Sequence, residues 1–190
     1  MPSPFTHNGN RLVFYYPTLM KYGLGGGTLG REYTKGKIYF AGVQNSHVTK
    51  TPDKLRTHIA NGATDIVIMG HSSDQPGSVV AGGSACLLPE PKKTATEIGE
   101  VLSRMLQAPT TVERIWVWTC HSSINGVALA IHNARTNLAI QVFGTPVAIG
   151  SPFYFLTQTD RHEMLAPIQR PAVAQQLELE VQSNSFVLIA

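Results

Sequence analysis

The sequence predicts an α/β domain with a mostly parallel central sheet, and three observations carry that prediction. Two segments, TDIVIMG (64–70) and RIWVWTC (114–120), are near-continuous apolar runs of strand length, the pattern of strands buried on both faces. Segments with helical periodicity and recognisable caps lie beside and between them. Strand and helix signals therefore alternate from residue 37 to 149, the order expected of parallel strands joined by crossover helices.

Taken in order, residues 11–17 (RLVFYYP) read as a strand, rich in aromatic and β-branched residues and closed by Pro17. A Gly-rich connection spans 23–36, and 37–43 (KIYFAGV) is a second strand. Thr51-Pro52-Asp53 opens a helix with a capping hydroxyl, a first-turn proline and an early acid; Asn61-Gly62 stops it. After the strand 64–70, a loop rich in Gly, Ser and Pro fills 71–93. Thr94 to Glu97 is a capping box for a helix to Gln107, with Ile98, Val101, Leu102, Met105 and Leu106 on one face. Following strand 114–120, Ser123 can cap a third helix through Asn137, with Val127, Leu129, Ala130 and Ile131 inward. AIQVFGTPVAI (139–149) is the next strand. Beyond it, 153–157 is strand-like, 172–176 a short helix, and 177–181 and 186–189 two strands joined around Ser183-Asn184. No repeat or low-complexity tract interrupts the chain, so residues 1–190 form one domain.

Composition narrows the function. Hydrophobic residues make up 43% and charged residues 14%, a globular and not a disordered balance. No apolar run reaches the length of about 18 residues that a membrane helix needs, and the N-terminus lacks the basic flank and apolar stretch of a secretory signal. The net charge of +3 is uneven: residues 1–95 hold ten Lys/Arg against five Asp/Glu, and 96–190 five against seven. No basic block with interleaved aromatics occurs, so nucleic-acid binding is not expected. The two cysteines, Cys86 and Cys120, form neither a CxxC nor a zinc-spaced pattern. Free thiols suit a reducing compartment, which a catalytic thiol requires. The expected location is cytoplasmic, or a host or target cell reached without a signal peptide. No metal or cofactor is implied.

In open α/β sheets ligands bind beyond the carboxyl ends of the strands, and two such ends carry reactive side chains. Strand 64–70 leads to His71-Ser72-Ser73, and strand 114–120 ends in Cys120-His121-Ser122-Ser123. If these strands are neighbours, linked by the helix 94–107, an imidazole and a thiol emerge on one edge of the sheet. That is the arrangement nucleophilic catalysis needs. With a helix opening at Ser123, Cys120 would also sit just before a helix N-terminus, which favours a thiolate and an oxyanion.

The segments IVIMGHSS and IWVWTCHSS resemble the clan CD cysteine peptidases, the caspases and, closer in motif, the autoprocessing protease domains of bacterial toxins. In that group an apolar strand ends in a His, and a second, one helix later, ends in the nucleophilic Cys. The caspase His precedes its Cys by about 50 residues, as His71 precedes Cys120 here. The resemblance covers roughly residues 37–149. It implies a caspase-like three-layer domain with C-terminal β-strands, a His71/Cys120 dyad, and an oxyanion site from the backbone N–H groups of Ser72 and Cys120. It implies a protein or peptide substrate, as for a bacterial effector or toxin domain. Ser72 stands where the family usually has Gly, Cys120 lies outside a QAC motif, and no dense basic cluster suits an inositol hexakisphosphate activator.

Other residues are read beside these. Loops 72–86 and 150–162 are expected to wall the substrate cleft, with Phe153, Tyr154 and Phe155 forming an apolar slot. Asp74, Asp160 and Arg161 would select charge at its mouth. Ordinary turn formation by Asp74 and strand packing by 153–155 are the bland readings. His121 can compete as base, but neighbours on an extended segment point to opposite faces. Cys86, His7, His47, His58, His132 and His162 are read as structural or incidental. Gly25 to Gly30 satisfies GxGxxG but lacks the helix and acid of a nucleotide site. Glutamine deamidation by the same dyad, and a non-enzymatic binding domain offering the stretch SPFYFL (151–156) and its C-terminal strands as an edge for partner pairing, are the alternatives.

Overall fold

The computed structural model describes residues 12–15, 17, 47–49, 51–70, 72, 80–81, 92–107, 109–148 and 186–190. Six strands form its main sheet: β1 (Leu12–Tyr15), β2 (His47–Thr49), β3 (Asp65–Met69), β6 (Arg114–Trp118), β7 (Gln141–Gly144) and β8 (Val187–Leu188). Their order is β2-β1-β3-β6-β7-β8, parallel except for β8, which runs antiparallel to β7 at the edge. A separate antiparallel pair joins β4 (Val80–Ala81) to β5 (Lys92–Lys93), inside the segment read from sequence as loop. Three helices are described: α1 (Pro52–Ala60), α2 (Ala95–Met105) and α3 (Val127–Ala134). None is long and apolar enough to cross a membrane.

The three helices pack into one core cluster with the sheet. The chain steps from β2 over β1 to β3, then to β6 and β7, always in one direction across the sheet. Each connecting helix therefore falls on the same face. That face carries Ile66, Ile68, Ile115, Val117 and Val142, packed with Leu55 and Ile59 of α1, Ile98 and Leu102 of α2, and Val127 and Ile131 of α3. Side chains alternate across a strand, so Asp65, Val67, Arg114, Trp116, Trp118 and Phe143 occupy the other face, and all are buried. There Trp116 stacks on Phe143 at 4.4 Å and 15°, while Phe186, just before β8, meets Trp116 edge-on at 5.7 Å. Both faces being covered explains the unbroken apolar runs in β3 and β6.

Local chemistry sets the helix ends. Thr51 caps α1 through Lys54 N, and Asn61 with Gly62 (φ +88°) ends it. Thr94 and Glu97 form the full reciprocal capping box of α2, with Thr94 N–H donating to Glu97 Oε2 at 2.7 Å. Such a cap contributes about 1 kcal/mol. Helices α2 and α3 touch at Gly99, where an added Cβ would stand 2.6 Å from Ala134 Cβ.

Four expectations change, the first being that Leu129, read as inward, is 45% exposed. The strand 114–120 stops at Trp118, leaving Thr119 and Cys120 in a turn. The third helix begins at Val127, not at Ser123: its N-cap is Gly126 at φ +83°, with no side-chain cap bond. The side chains of Ser122 and Asn125 spend their hydrogen bonds on a tight turn instead, so the helix-dipole argument for Cys120 falls. The strand 139–149 shortens to Gln141–Gly144 because Thr145 and Val147 fold back on that turn. The readings at 23–36, 37–43, 153–157, 172–176 and 177–181 lie outside the described residues.

Candidate active site

β3 and β6 are adjacent and parallel, with Asp65 opposite Arg114 and Met69 opposite Trp118. Their carboxyl ends therefore leave the sheet side by side. The chain continues as Gly70, His71 and Ser72 from β3, and as Thr119, Cys120 and His121 from β6. His71 lies outside the described residues, as do Asp74, Phe153, Tyr154, Phe155, Asp160, Arg161 and Cys86. Ser72, Cys120 and His121 are described.

The two segments are stitched together by side chains. Ser72 Oγ hydrogen-bonds the carbonyl oxygen of Cys120 and lies 3.0 Å from Thr119 Oγ1. A hydroxyl has one proton and a carbonyl only accepts. The Ser72 proton thus goes to Cys120, and the Thr119 hydroxyl donates to Ser72 Oγ. Asn125 Nδ2 donates to the same Cys120 carbonyl at 3.0 Å. Both lone-pair positions of that oxygen are occupied, which fixes the peptide plane just after the thiol-bearing residue. The role expected of Ser72 was a backbone one, and what the geometry adds is its hydroxyl.

A second set of bonds fastens the turn to the segment after β7. Ser122 Oγ donates to Val117 O and accepts from Thr145 N, each at 2.9 Å. His121 N donates to Val147 O at 2.9 Å, and Ser123 N to Thr145 O at 3.0 Å. Asn125 Oδ1 accepts from Val127 N at 3.1 Å, tying the turn to the start of α3. Thr119, Ser122, Asn125 and Thr145 are completely buried, so their hydroxyls and amide depend on one another in place of water. Gly144 makes room for the turn: an added Cβ would stand 2.8 Å from Ala128 Cβ and 3.0 Å from Ser123 N.

At the head of the turn Cys120 is partly buried and in no disulfide. His121 follows at φ 56°, in the left-handed region. The premise that residues 120 and 121 lie on an extended segment does not hold, and His121 remains a candidate for chemistry. Its Nδ1 is 3.0 Å from Pro146 O. Neither 119–126 nor 144–148 contains an Asp, Glu, Lys or Arg side chain, so the Ser, Thr and Asn bonds that hold the turn join uncharged groups.

Asn125 was not singled out from sequence, although the dipeptide Asn125-Gly126 is a turn signal that marks the break before α3. His132, read as structural, sits on α3, where burial and then the charge of Arg135 push its imidazole below the ordinary value. Among the described residues no group of three His, Cys, Asp or Glu side chains is placed to hold a metal ion. No family model matches this chain, and no curated protein matches it.

Proposed function

We propose that the chain is a cysteine-type endopeptidase in which His71 and Cys120 act as a dyad on a protein or peptide substrate. The observation that carries the reading is the bond from Ser72 Oγ to the Cys120 carbonyl. Ser72 is the covalent neighbour of His71, and consecutive Cα atoms are about 3.8 Å apart. The backbone carrying the imidazole is thereby tethered to the backbone carrying the thiol. The strand order adds support. In a 2-1-3 arrangement the ligand crevice opens at the carboxyl ends where the order reverses. Here that is between β1 and β3, and β3 leads directly to His71.

In the proposed reaction, the Cys120 thiolate attacks the scissile carbonyl while the imidazolium of His71 faces the leaving group. The carbonyl π electrons move onto oxygen, which the N–H groups of Ser72 and Cys120 receive. Collapse of the tetrahedral adduct breaks the C–N bond, the amine leaves with the His71 proton, and water hydrolyses the thioester. Asp74 and residues Phe153, Tyr154 and Phe155 line the substrate side. The mostly parallel sheet with an antiparallel C-terminal edge strand suits the finer reading of a caspase-like three-layer domain, in an effector or toxin.

Mapping new protein N-termini in a lysate treated with the purified chain tests this reading. Cleavage by wild type and none by Cys120→Ala is the expected result. Identical N-termini from both, or none from a folded wild type, would sink it. One observation favours a second reading, a non-enzymatic binding domain: Val187 and Leu188 on β8, the last strand of the sheet among the described residues, are 43% and 49% exposed, and exposed apolar side chains suit contact with a partner.

A further inference from the structure

The His121 ring is more constrained than a structural role requires. A carbonyl only accepts, so the 3.0 Å contact with Pro146 O makes Nδ1 the donor and, in the neutral ring, leaves Nε2 as the acceptor. Nε2 has no hydrogen-bond partner among the described residues, and the residue is partly exposed. The backbone is held as firmly: His121 N bonds Val147 O, and His121 O accepts from Ile124 N and Asn125 N. All this occurs at φ 56°, where Gly fits without strain and Asn more readily than most residues. Asn could also donate an amide proton to Pro146 O. What neither Gly nor Asn supplies is an unprotonated ring nitrogen. Orientation of a base by a third group is the mark of a working imidazole, and this one belongs to the residue that follows Cys120.

We propose that His121 Nε2 is the acceptor for the hydrolytic water that releases the acyl group from Cys120. The inference rests on the cysteine-hydrolase reading and divides its labour: His71 serves acylation, His121 deacylation. Once the acyl group is on Sγ, a water donates one proton to Nε2 while its oxygen attacks the thioester carbon. The C–S bond then breaks, its electron pair returns to sulfur as thiolate, and the carboxylic acid leaves. Nδ1 keeps its proton, and the Pro146 carbonyl stabilises the imidazolium that forms. The titratable groups at this point are Cys120, His121 and, beyond the described residues, His71. The packed segments 119–126 and 144–148 contribute no other ionisable side chain.

p-Nitrophenyl acetate separates the two steps without a known substrate. The burst of p-nitrophenol reports acylation, and peptide mapping by mass spectrometry reports how long acetyl stays on Cys120. In His121→Asn, which keeps the turn and a donor for Pro146, the burst should match wild type. The acetyl lifetime at pH 7 should lengthen about tenfold or more, and the gap should close toward pH 9 as hydroxide attacks directly. His71→Ala should slow the burst and leave the lifetime unchanged. A wild-type lifetime in folded His121→Asn would overturn the inference, and so would a lengthened lifetime in His121→Gly alone, which would make the ring a positioning element. If wild-type Cys120 acetylates no faster than Cys86 and His71→Ala changes nothing, the hydrolase reading itself fails.

Discussion

The two edges of the central sheet are built from opposite materials. At the amino edge of β3 and β6, Asp65 is fully buried and carries four contacts. Arg114 Nε lies 2.7 Å from Oδ1 and Arg114 donates from Nη2 to Oδ2 at 3.1 Å; Trp116 Nε1 donates at 3.0 Å and Thr64 Oγ1 at 2.8 Å. At the carboxyl edge of the same two strands, Ser72, Thr119, Ser122 and Asn125 hold the Cys120 turn with neutral hydrogen bonds alone. A buried ion pair resists the loss of either partner, because the survivor is left charged and unsolvated. A neutral hydrogen bond contributes about 1 kcal/mol, so losing one changes geometry more than stability. The amino edge is a charged lock and the carboxyl edge is an uncharged mount for the Cys120 turn.

Breaking the lock should give the largest effect. Arg114→Met leaves Asp65 buried without its cation and should cost about 3–5 kcal/mol in urea unfolding. A loss under about 1 kcal/mol would mean the pair is not what secures that edge. Crowding the mount should cost less and reach the chemistry. Gly144→Ala forces a methyl against Ala128 and the backbone of Ser123. It should destabilise by about 1–3 kcal/mol and slow alkylation of Cys120 by iodoacetamide. Full stability with unchanged alkylation would show that the turn does not need its close seat on β7. Smallest in stability is Ser72→Ala, at about 1 kcal/mol, since Asn125 still holds the Cys120 carbonyl. Turnover should nonetheless fall by about a hundredfold, the scale expected of a misplacement near 1 Å. Equal stability and turnover in Ser72→Ala would dissolve the contrast between the edges.

Much of this contrast was hidden in the sequence for physical reasons. β3 and β6 were legible because burial on both faces writes a continuous apolar run. Helices α1 and α2 were legible because Thr51, Pro52 and the Thr94/Glu97 box are local signals. Asp65 and Arg114 instead look like the charged ends of two separate strands. Only the register that sets one opposite the other makes them a pair, and register is a tertiary property. β2 escaped because three residues, His47 to Thr49, are too few to establish a period. The start of α3 was misread because Ser123 and Gly126 both qualify as caps, and Ser and Asn serve turns as readily as helix ends. At the site, Cys120 stood out by its place after an apolar strand. Ser72 was noticed for its N–H, but the bond from its hydroxyl spans two strands. The left-handed turn at His121 had no local signal, since Gly and Asn are the residues that ordinarily mark one.

We propose that the carboxyl edge presents a thiol activated by His71. A peptidyl acyloxymethyl ketone, which alkylates a cysteine only after peptide binding and thiolate attack, tests it most directly when labelled peptides are mapped by mass spectrometry. The expected result is one label per wild-type chain, on Cys120, and labelling slowed by about a hundredfold or more in folded His71→Ala. Labelling confined to Cys86, or of Cys120 at the wild-type rate without His71, would contradict it.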